Sequence, residues 1–93
     1  MRTFGLIGYP LTHSFSRAFF SKKFAEEGID ARYLNFELPS IEAFPQVISH
    51  YADLSGLNVT LPYKQAVIPF LDELSDEARE IGAVNVVRVI HAD

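Results

Sequence analysis

Short apolar runs alternate with helix-forming segments along the whole chain. The runs at 3–7, 31–38, 56–60 and 84–90 predict strands, because each is short, apolar and bounded by glycine, proline or polar residues. The segments between them carry helically spaced apolar residues or helix-ending glycines. Alternating strands and helices form parallel sheets that helices cover, so the sequence predicts a three-layer α/β/α domain with a mainly parallel, twisted sheet.

Individual residues indicate where three helices begin and end. Ser16 is a candidate N-cap for the first helix, and Gly28 supplies the left-handed residue that ends it. The second helix is predicted to begin near Pro45, because a proline inside a helix removes a hydrogen bond. Ser75 and Gly82 are expected at the two ends of the third helix.

The composition limits the classes of function. The 93 residues suffice for one domain, and a net charge of −4 provides no basic surface for nucleic acid or an anionic membrane. No apolar run approaches the roughly 20 residues that span a bilayer. The absence of cysteine excludes a disulfide scaffold and fits a reducing cytoplasm, where we expect the protein. No histidine and carboxylate cluster has the spacing of a metal site, so no metal is expected.

Polar residues lie near the ends of several predicted strands. Ser14 and Ser16 follow the first strand, Asn58 and Thr60 close the third, and Asn85 lies at the start of the fourth. Sheets of this kind bind ligands at the carboxyl ends of their strands, so these side chains are candidates for a binding site. The two serines are two residues apart, and in an extended segment both hydroxyls would point the same way, toward a carboxylate or a diol.

The same polar residues also have structural interpretations, which the sequence leaves open. The two serines could be an N-cap and a turn residue, while Asn58 and Thr60 could cap a turn at Pro62. Asn85 could bond to a ligand hydroxyl or to a backbone group. His13 is a possible base, although a lone loop histidine more often has a structural hydrogen bond.

Lys64 has the most distinctive chemistry in the chain. If Pro62 were the first residue of a helical turn, Lys64 would be the third, near the positive end of the helix dipole. A purely structural helix would carry an acidic residue there, and the dipole would favour a neutral amine suited to acid–base work. A catalytic lysine and a solvated surface lysine are both consistent with the spacing.

No dinucleotide site is predicted in this chain. Gly5 and Gly8 have the spacing of only part of the Gly-x-Gly-x-x-Gly fingerprint. Pro10 then follows where the fingerprint requires the N-terminus of a helix.

Three segments resemble the signatures of shikimate dehydrogenases. Residues 8–16, GYPLTHSFS, are similar to the family's Gly-x-Pro-x-x-His-Ser-x-Ser segment. Residues 56–64, GLNVTLPYK, resemble its Gly-x-Asn-Val-Thr-x-Pro-x-Lys motif, and residues 82–85, GAVN, resemble its Gly-Ala-Val-Asn. The motifs follow one another in the family's order.

The resemblance implies a function and a division into domains. The family reversibly reduces 3-dehydroshikimate to shikimate with NADPH, in the chorismate pathway of aromatic amino-acid biosynthesis. An N-terminal domain binds the substrate, and a following Rossmann domain binds the cofactor. The resemblance therefore makes residues 1–93 the substrate-binding domain and places NADP in a C-terminal domain absent from this chain. Alone, the chain is expected to bind shikimate weakly or not at all, and to be inactive.

The resemblance also assigns roles to residues of the three motifs. Lys64 would be the catalytic acid–base group and would contact the substrate. Ser14 and Ser16 would hold the substrate carboxylate, while Thr60 and Asn85 would bind the ring hydroxyls.

Other positions bear on the pocket less directly. Asn58 would support it, and Phe20 stands where the family commonly has histidine. Asp93 has neither the spacing nor the context of the aspartate that the family pairs with the lysine.

Other functions stay open beside this one. A non-enzymatic α/β module could use the same residues to bind a small carboxylate or a polyol, and an interaction domain could use them only as caps. Within the family, a member that prefers quinate is the alternative. The strand Val84–Ile90 would leave an unpaired apolar edge, through which we expect copies of the chain to self-associate.

Overall fold

In the computed structural model, which describes residues 1–12 and 14–91, four strands form one sheet with helices on both faces. The strands are β1 (Arg2–Gly8), β2 (Ala31–Glu37), β3 (Leu54–Val59) and β4 (Val86–Arg88), and the helices are α1 (Ser16–Glu27), α2 (Phe44–His50) and α3 (Asp76–Ile81). The strand order is β2-β1-β3-β4, and β4 alone runs antiparallel to its neighbour. The predicted α/β fold with a mainly parallel sheet is confirmed.

The main hydrophobic core lies on the face of the sheet that α2 covers. Ile7 of β1 and Leu54 of β3 are fully buried in it, together with Val67 from the segment after β3. Phe44 and Val47 are the buried residues of α2 in the same cluster. Each such side chain contributes roughly 1.5–3 kcal/mol when it is fully buried, so this face holds much of the folding free energy.

The opposite face packs against α1 through a smaller aromatic cluster. Phe20 of α1 stacks on Tyr33 of β2 with ring centroids 4.8 Å apart, and Phe24 lies 5.8 Å from Phe4 of β1. No residue of α1 is fully buried, because the helix covers only the β1 and β2 side of this face. A groove of about 370 Å³ lies between α1 and strands β3 and β4.

Most of the predicted helix limits are confirmed. Gly28 ends α1 and Gly82 ends α3, both with a left-handed backbone (φ 66° and 77°). The Ser75 hydroxyl accepts a hydrogen bond from the Ala78 amide at 3.1 Å and so caps α3. α2 begins one residue before Pro45, after a 3₁₀ turn.

The helix predicted to begin at Pro62 is not formed. Residues 61–67 are a series of turns, so Pro62 is not a first helical residue and Lys64 is not a third. The Thr60 carbonyl accepts a hydrogen bond from the Tyr63 amide at 3.0 Å, which closes a tight turn at the point where the helix was expected. One helical hydrogen bond follows, from the Val67 amide to the Tyr63 carbonyl. The dipole argument for Lys64 therefore loses its basis.

The predicted strand at 84–90 is shorter in the structure. Only Val86–Arg88 form β4, which is an edge strand among the described residues. The Val89 amide extends the pairing by donating to the Ser55 carbonyl at 3.1 Å. The backbone groups on one edge of the segment are thus hydrogen-bonded to β3. The expected self-association of the chain stays a prediction.

Gly5→Ala is expected to destabilise the protein more than Gly56→Ala. A Cβ at Gly5 would lie 2.4 Å from a ring carbon of Phe36 and 2.6 Å from the Leu34 carbonyl oxygen, and the backbone oxygen cannot turn away. At Gly56 the nearest atom would be a ring carbon of Phe4 at 3.2 Å. We expect losses of about 1–3 kcal/mol and under about 1 kcal/mol, respectively, in the free energy of unfolding measured with urea. Equal losses would contradict this packing.

Candidate functional site

The loops after β1 and β3 meet at the carboxyl edge of the sheet. The Thr60 amide donates to the Ile7 carbonyl at 2.9 Å, and the Tyr9 amide donates to the Leu61 carbonyl at 3.2 Å. Gly8 permits this approach, since a Cβ there would lie 2.5 Å from Cγ2 of Thr60. Two of the three motif segments therefore lie side by side.

Glu37 attaches the loop after β1 to the end of β2. Its Oε2 accepts a hydrogen bond from the Leu11 amide at 2.7 Å, and the following Leu38 amide donates to the Gly8 carbonyl at 3.1 Å. A charged acceptor makes such a bond stronger than a neutral one. Sequence reasoning missed this contact, and the only available signal was that Glu37 ends a strand at the same edge.

Ser14 and Ser16 lie in the turn that enters α1. Phe15 between them has a helical backbone (φ −99°, ψ −7°) and is the N-cap, while Ser16 is already the first residue of the helix. The predictions that Ser16 is the N-cap and that the two serines share an extended segment are therefore wrong. The physical reason is that the helix starts earlier, since the Phe15 carbonyl accepts the Phe19 amide at 3.0 Å.

The two serines nevertheless lie close together, at the end of the loop that joins β1 to α1. The Ser14 hydroxyl accepts a hydrogen bond from the Ser16 amide at 3.4 Å, and both residues are half-buried. Ser14 therefore also makes the local side-chain-to-backbone bond that is typical of turns. His13 and Asp93, the other two residues weighed for a role, lie outside the described residues.

Tyr33 connects β2 to the polar residues of the site. Nδ2 of Asn58 donates a hydrogen bond to the Tyr33 hydroxyl at 2.8 Å, so Asn58 bonds to Tyr33 and not to the turn at Pro62. Burial raises the pKa of Tyr33 above its ordinary value, while the hydrogen bonds with Asn58 and, less strongly, Ser16 oppose that shift. Sequence reasoning assigned Tyr33 to a strand and missed this role, because nothing local indicates a partner 25 residues away.

Backbone hydrogen bonds hold Lys64 and Asn85 beside the end of β3. The Lys64 carbonyl accepts from the Val84 amide, and the Asn85 carbonyl accepts from the Val59 amide, both at 2.7 Å. Lys64 is half-buried, and within residues 1–12 and 14–91 its ammonium group forms no ion pair. Asn85 is exposed, so its side chain needs no protein partner and can serve a ligand.

The antiparallel strand explains how the third motif joins the other two. Since β4 runs opposite to β3, its beginning lies at the carboxyl end of β3, where Val86 pairs with Asn58. Asn85 immediately precedes this pair. The structure thus brings all three motif segments to one edge of the sheet.

Within residues 1–12 and 14–91, the end of β1 and the loop that follows it do not have the form of a dinucleotide site. The positions that a Cβ would take at Gly5 and Gly8 are crowded by protein atoms, and residues 9–15 separate β1 from α1. A dinucleotide site needs glycines that a pyrophosphate can approach and a helix that follows its strand directly.

No group of three or more histidine, aspartate and glutamate side chains in 1–12 and 14–91 could hold a metal ion. The helices in this part of the chain are too short or too polar to cross a membrane.

The sheet order and the polar carboxyl edge define the class of the molecule as an α/β domain with a candidate ligand site where its parallel strands end. The family model of the shikimate dehydrogenase substrate binding domain matches residues 6–87. The chain belongs to this family, as the three motifs predicted.

Individual relatives agree with the family match. The NADP(+) shikimate dehydrogenase of Pyrococcus abyssi is 47% identical over 89 residues, which are 94% of this chain and 33% of that protein. Crystal structures of shikimate dehydrogenase 1 from Peptoclostridium difficile (37% identity, TM-score 0.87) and of the Thermus thermophilus enzyme in complex with shikimate (35%, 0.86) are also similar. Each covers 97% of this chain, which spans about a third of these relatives' length (35% of each crystal chain).

Glu37→Ala is expected to loosen the loop after β1, whereas Glu37→Gln is expected to preserve it. Alanine removes the acceptor of the Leu11 amide, while glutamine keeps a carbonyl oxygen at the same place. We expect hydrogen exchange of the Leu11 amide to accelerate about fivefold to tenfold in the alanine variant, as for a lost hydrogen bond of about 1 kcal/mol. Glu42→Ala on the exposed 3₁₀ turn is the control. Exchange at Leu11 that is the same in all three variants would refute the contact.

Proposed function

We propose that this chain is the substrate-binding domain of an NADP-dependent shikimate dehydrogenase, which reversibly reduces 3-dehydroshikimate to shikimate in aromatic amino-acid biosynthesis. The supporting observation is that three separate motif segments lie at one edge of the sheet. The names of the relatives support the reaction, and the Thermus thermophilus complex supports the ligand. The cysteine-free composition supports our proposal of a cytoplasmic location.

The hydroxyls of Ser14 and Ser16 are proposed to hold the substrate carboxylate. Both residues lie where α1 begins, and the unpaired amides of a helix N-terminus favour negative charge. Hydroxyl groups can donate hydrogen bonds to carboxylate oxygens, so two half-buried serines suit this anion.

Thr60 and Asn85 are proposed to bind the ring hydroxyls, on the side of the substrate opposite its carboxylate. Thr60 follows β3 directly and Asn85 precedes β4, so both lie at the carboxyl end of β3. A hydroxyl and an amide can each donate and accept, which is what alcohol groups of a ligand require. Asn58 supports this side through its bond to Tyr33.

Lys64 is proposed to be the acid–base group of the reaction. In the direction of reduction its ammonium would stabilise the negative charge that develops on the carbonyl oxygen and would deliver a proton to it. In the reverse direction the neutral amine would take the proton from the substrate hydroxyl. NADPH supplies the hydride when it is bound, and we propose that it is held outside residues 1–93, in a Rossmann domain.

Self-association through β4 is a separate part of the proposal. Val86 of β4 and Ile90 just beyond the strand are 66% and 78% exposed, and the backbone groups on the outer edge of β4 can pair with another strand.

Lys64→Ala is expected to lower turnover far more than it weakens binding. The reaction is measured in a chimaera in which residues 1–91 replace the matching domain of the Pyrococcus abyssi enzyme. We expect kcat to fall by about 10²–10⁴, the usual contribution of an acid–base group, with a change in KM of less than about tenfold. Lys22→Ala on the exposed surface of α1 is the control and should change neither constant.

The same assay separates the alternatives. An increase in KM with unchanged kcat would contradict the catalytic role and favour a domain that only binds carboxylates or polyols. A parent chimaera that oxidises quinate and not shikimate would identify a quinate-preferring member. One that acts on neither would contradict the proposed function, and the isolated chain is expected to be inactive throughout.

A further inference from the structure

We propose that Tyr33 is a positioning residue for the substrate site, because it links Asn58 of β3, through a hydrogen bond, to helix α1, through the stacked ring of Phe20. The inference rests on the proposed function of that site. Tyr33 lies in β2, outside all three motif segments, and is only 4% exposed. It therefore acts through its neighbours and does not itself contact the substrate.

The hydrogen bond from Asn58 to Tyr33 crosses an intervening strand. The strand order places β1 between β2 and β3, and Tyr33 pairs with Phe4 while Asn58 pairs with Leu6. The bond of 2.8 Å is thus a diagonal link over β1, on the face that α1 covers. It fixes the side-chain amide of Asn58, which lies two residues before the motif threonine, Thr60, and pairs with the first residue of β4.

Helix α1 packs on the same tyrosine. Phe20 stacks on the Tyr33 ring at 4.8 Å with an interplanar angle of 19°. Ser16 lies four residues before Phe20 and therefore on the same face of the helix. The stack holds the Tyr33 ring beside the first turn of α1, where Ser16 lies.

The direction of the hydrogen bond shows what Tyr33 does to Asn58. Because Nδ2 of Asn58 donates to the Tyr33 oxygen, the side-chain amide of Asn58 is held in one orientation. A hydrogen bond in a buried environment is stronger than one in water, so this link restrains the end of β3 that leads to Thr60 of the proposed site.

Tyr33→Phe tests this inference in the chimaera of residues 1–91 with the remainder of the Pyrococcus abyssi enzyme, because the 93-residue chain alone is expected to bind shikimate weakly or not at all. Phenylalanine keeps the ring and its stack on Phe20 but removes the bridging hydroxyl. We expect the dissociation constant for shikimate, measured by titration, to rise about tenfold, which is the size of one buried hydrogen bond. Hydrogen exchange of the Asn58 side-chain amide should accelerate as well.

Tyr51→Phe is the matched control. Tyr51 is half-buried and packs edge-on against Phe36 at 5.1 Å, and its hydroxyl makes no hydrogen bond within 1–12 and 14–91. The control removes the same atom from another tyrosine and should leave the affinity for shikimate unchanged.

A double-mutant cycle distinguishes positioning from a general structural role. In an Asn58→Ala background the bridge is already broken, so Tyr33→Phe should change the dissociation constant by less than about twofold. A full tenfold effect in that background would overturn the inference, since Tyr33 would then act independently of Asn58. If Tyr33→Phe does not fold, Phe20→Leu takes its place, and it must weaken binding more than Phe24→Leu.

Two other results would overturn the inference. Parent-like affinity in Tyr33→Phe would overturn the positioning role and leave the proposed function standing. A parent chimaera that does not respond to shikimate at any concentration would overturn the proposed function, and the inference would fall with it.

Discussion

The close approach of two loops at Gly8 is the constraint on which the rest of the site depends. At this residue the chain leaves β1 between the end of β2 and the segment that follows β3, and a side chain of any size would separate them. The Leu38 amide bonds to its carbonyl on one side, and a Cβ would meet Thr60 on the other. A single glycine therefore determines how near the loop that carries Ser14 and Ser16 lies to the loop that carries Thr60 and Lys64.

The two faces of the sheet differ in the kind of residues that they bury. The face under α2 contains the larger core, which is mostly aliphatic and in which the Tyr63 hydroxyl donates to the Leu38 carbonyl. On the face under α1, aromatic rings are combined with the hydroxyl of Tyr33, the amide of Asn58 and the exposed edge of β4. Since buried polar groups stabilise a protein only when they are paired, the tyrosine and the asparagine are expected to depend on each other.

The sequence predicted those parts of the structure that local chemistry determines. Gly28, Gly82 and Ser75 act within a single helical turn, and the motif segments mark the edge of the sheet where parallel strands end. The failures concern geometry that no local pattern specifies. Whether Ser16 caps or begins α1 depends on the backbone of Phe15, and the helix expected at residue 62 gave way to a tight turn.

Contacts over long sequence separations could not be predicted at all. Tyr33 meets Asn58, and Glu37 meets the Leu11 amide, over separations of 25 and 26 residues. These partners follow from the register of three strands, which a hydrophobic pattern does not define to within one residue. The family resemblance identified positions for the site, and the structure adds the residues that hold them in place.

The most direct test of the central claim is a nuclear magnetic resonance titration with shikimate of the isotope-labelled chimaera, in which residues 1–91 are joined to the remainder of the Pyrococcus abyssi enzyme. If the carboxyl edge of the sheet binds the substrate, the amide shifts that change most will belong to Ser14, Ser16, Thr60, Lys64 and Asn85. Changes concentrated in the groove beside Val86 and Arg88, or a well-dispersed spectrum that shikimate leaves unchanged, would contradict it.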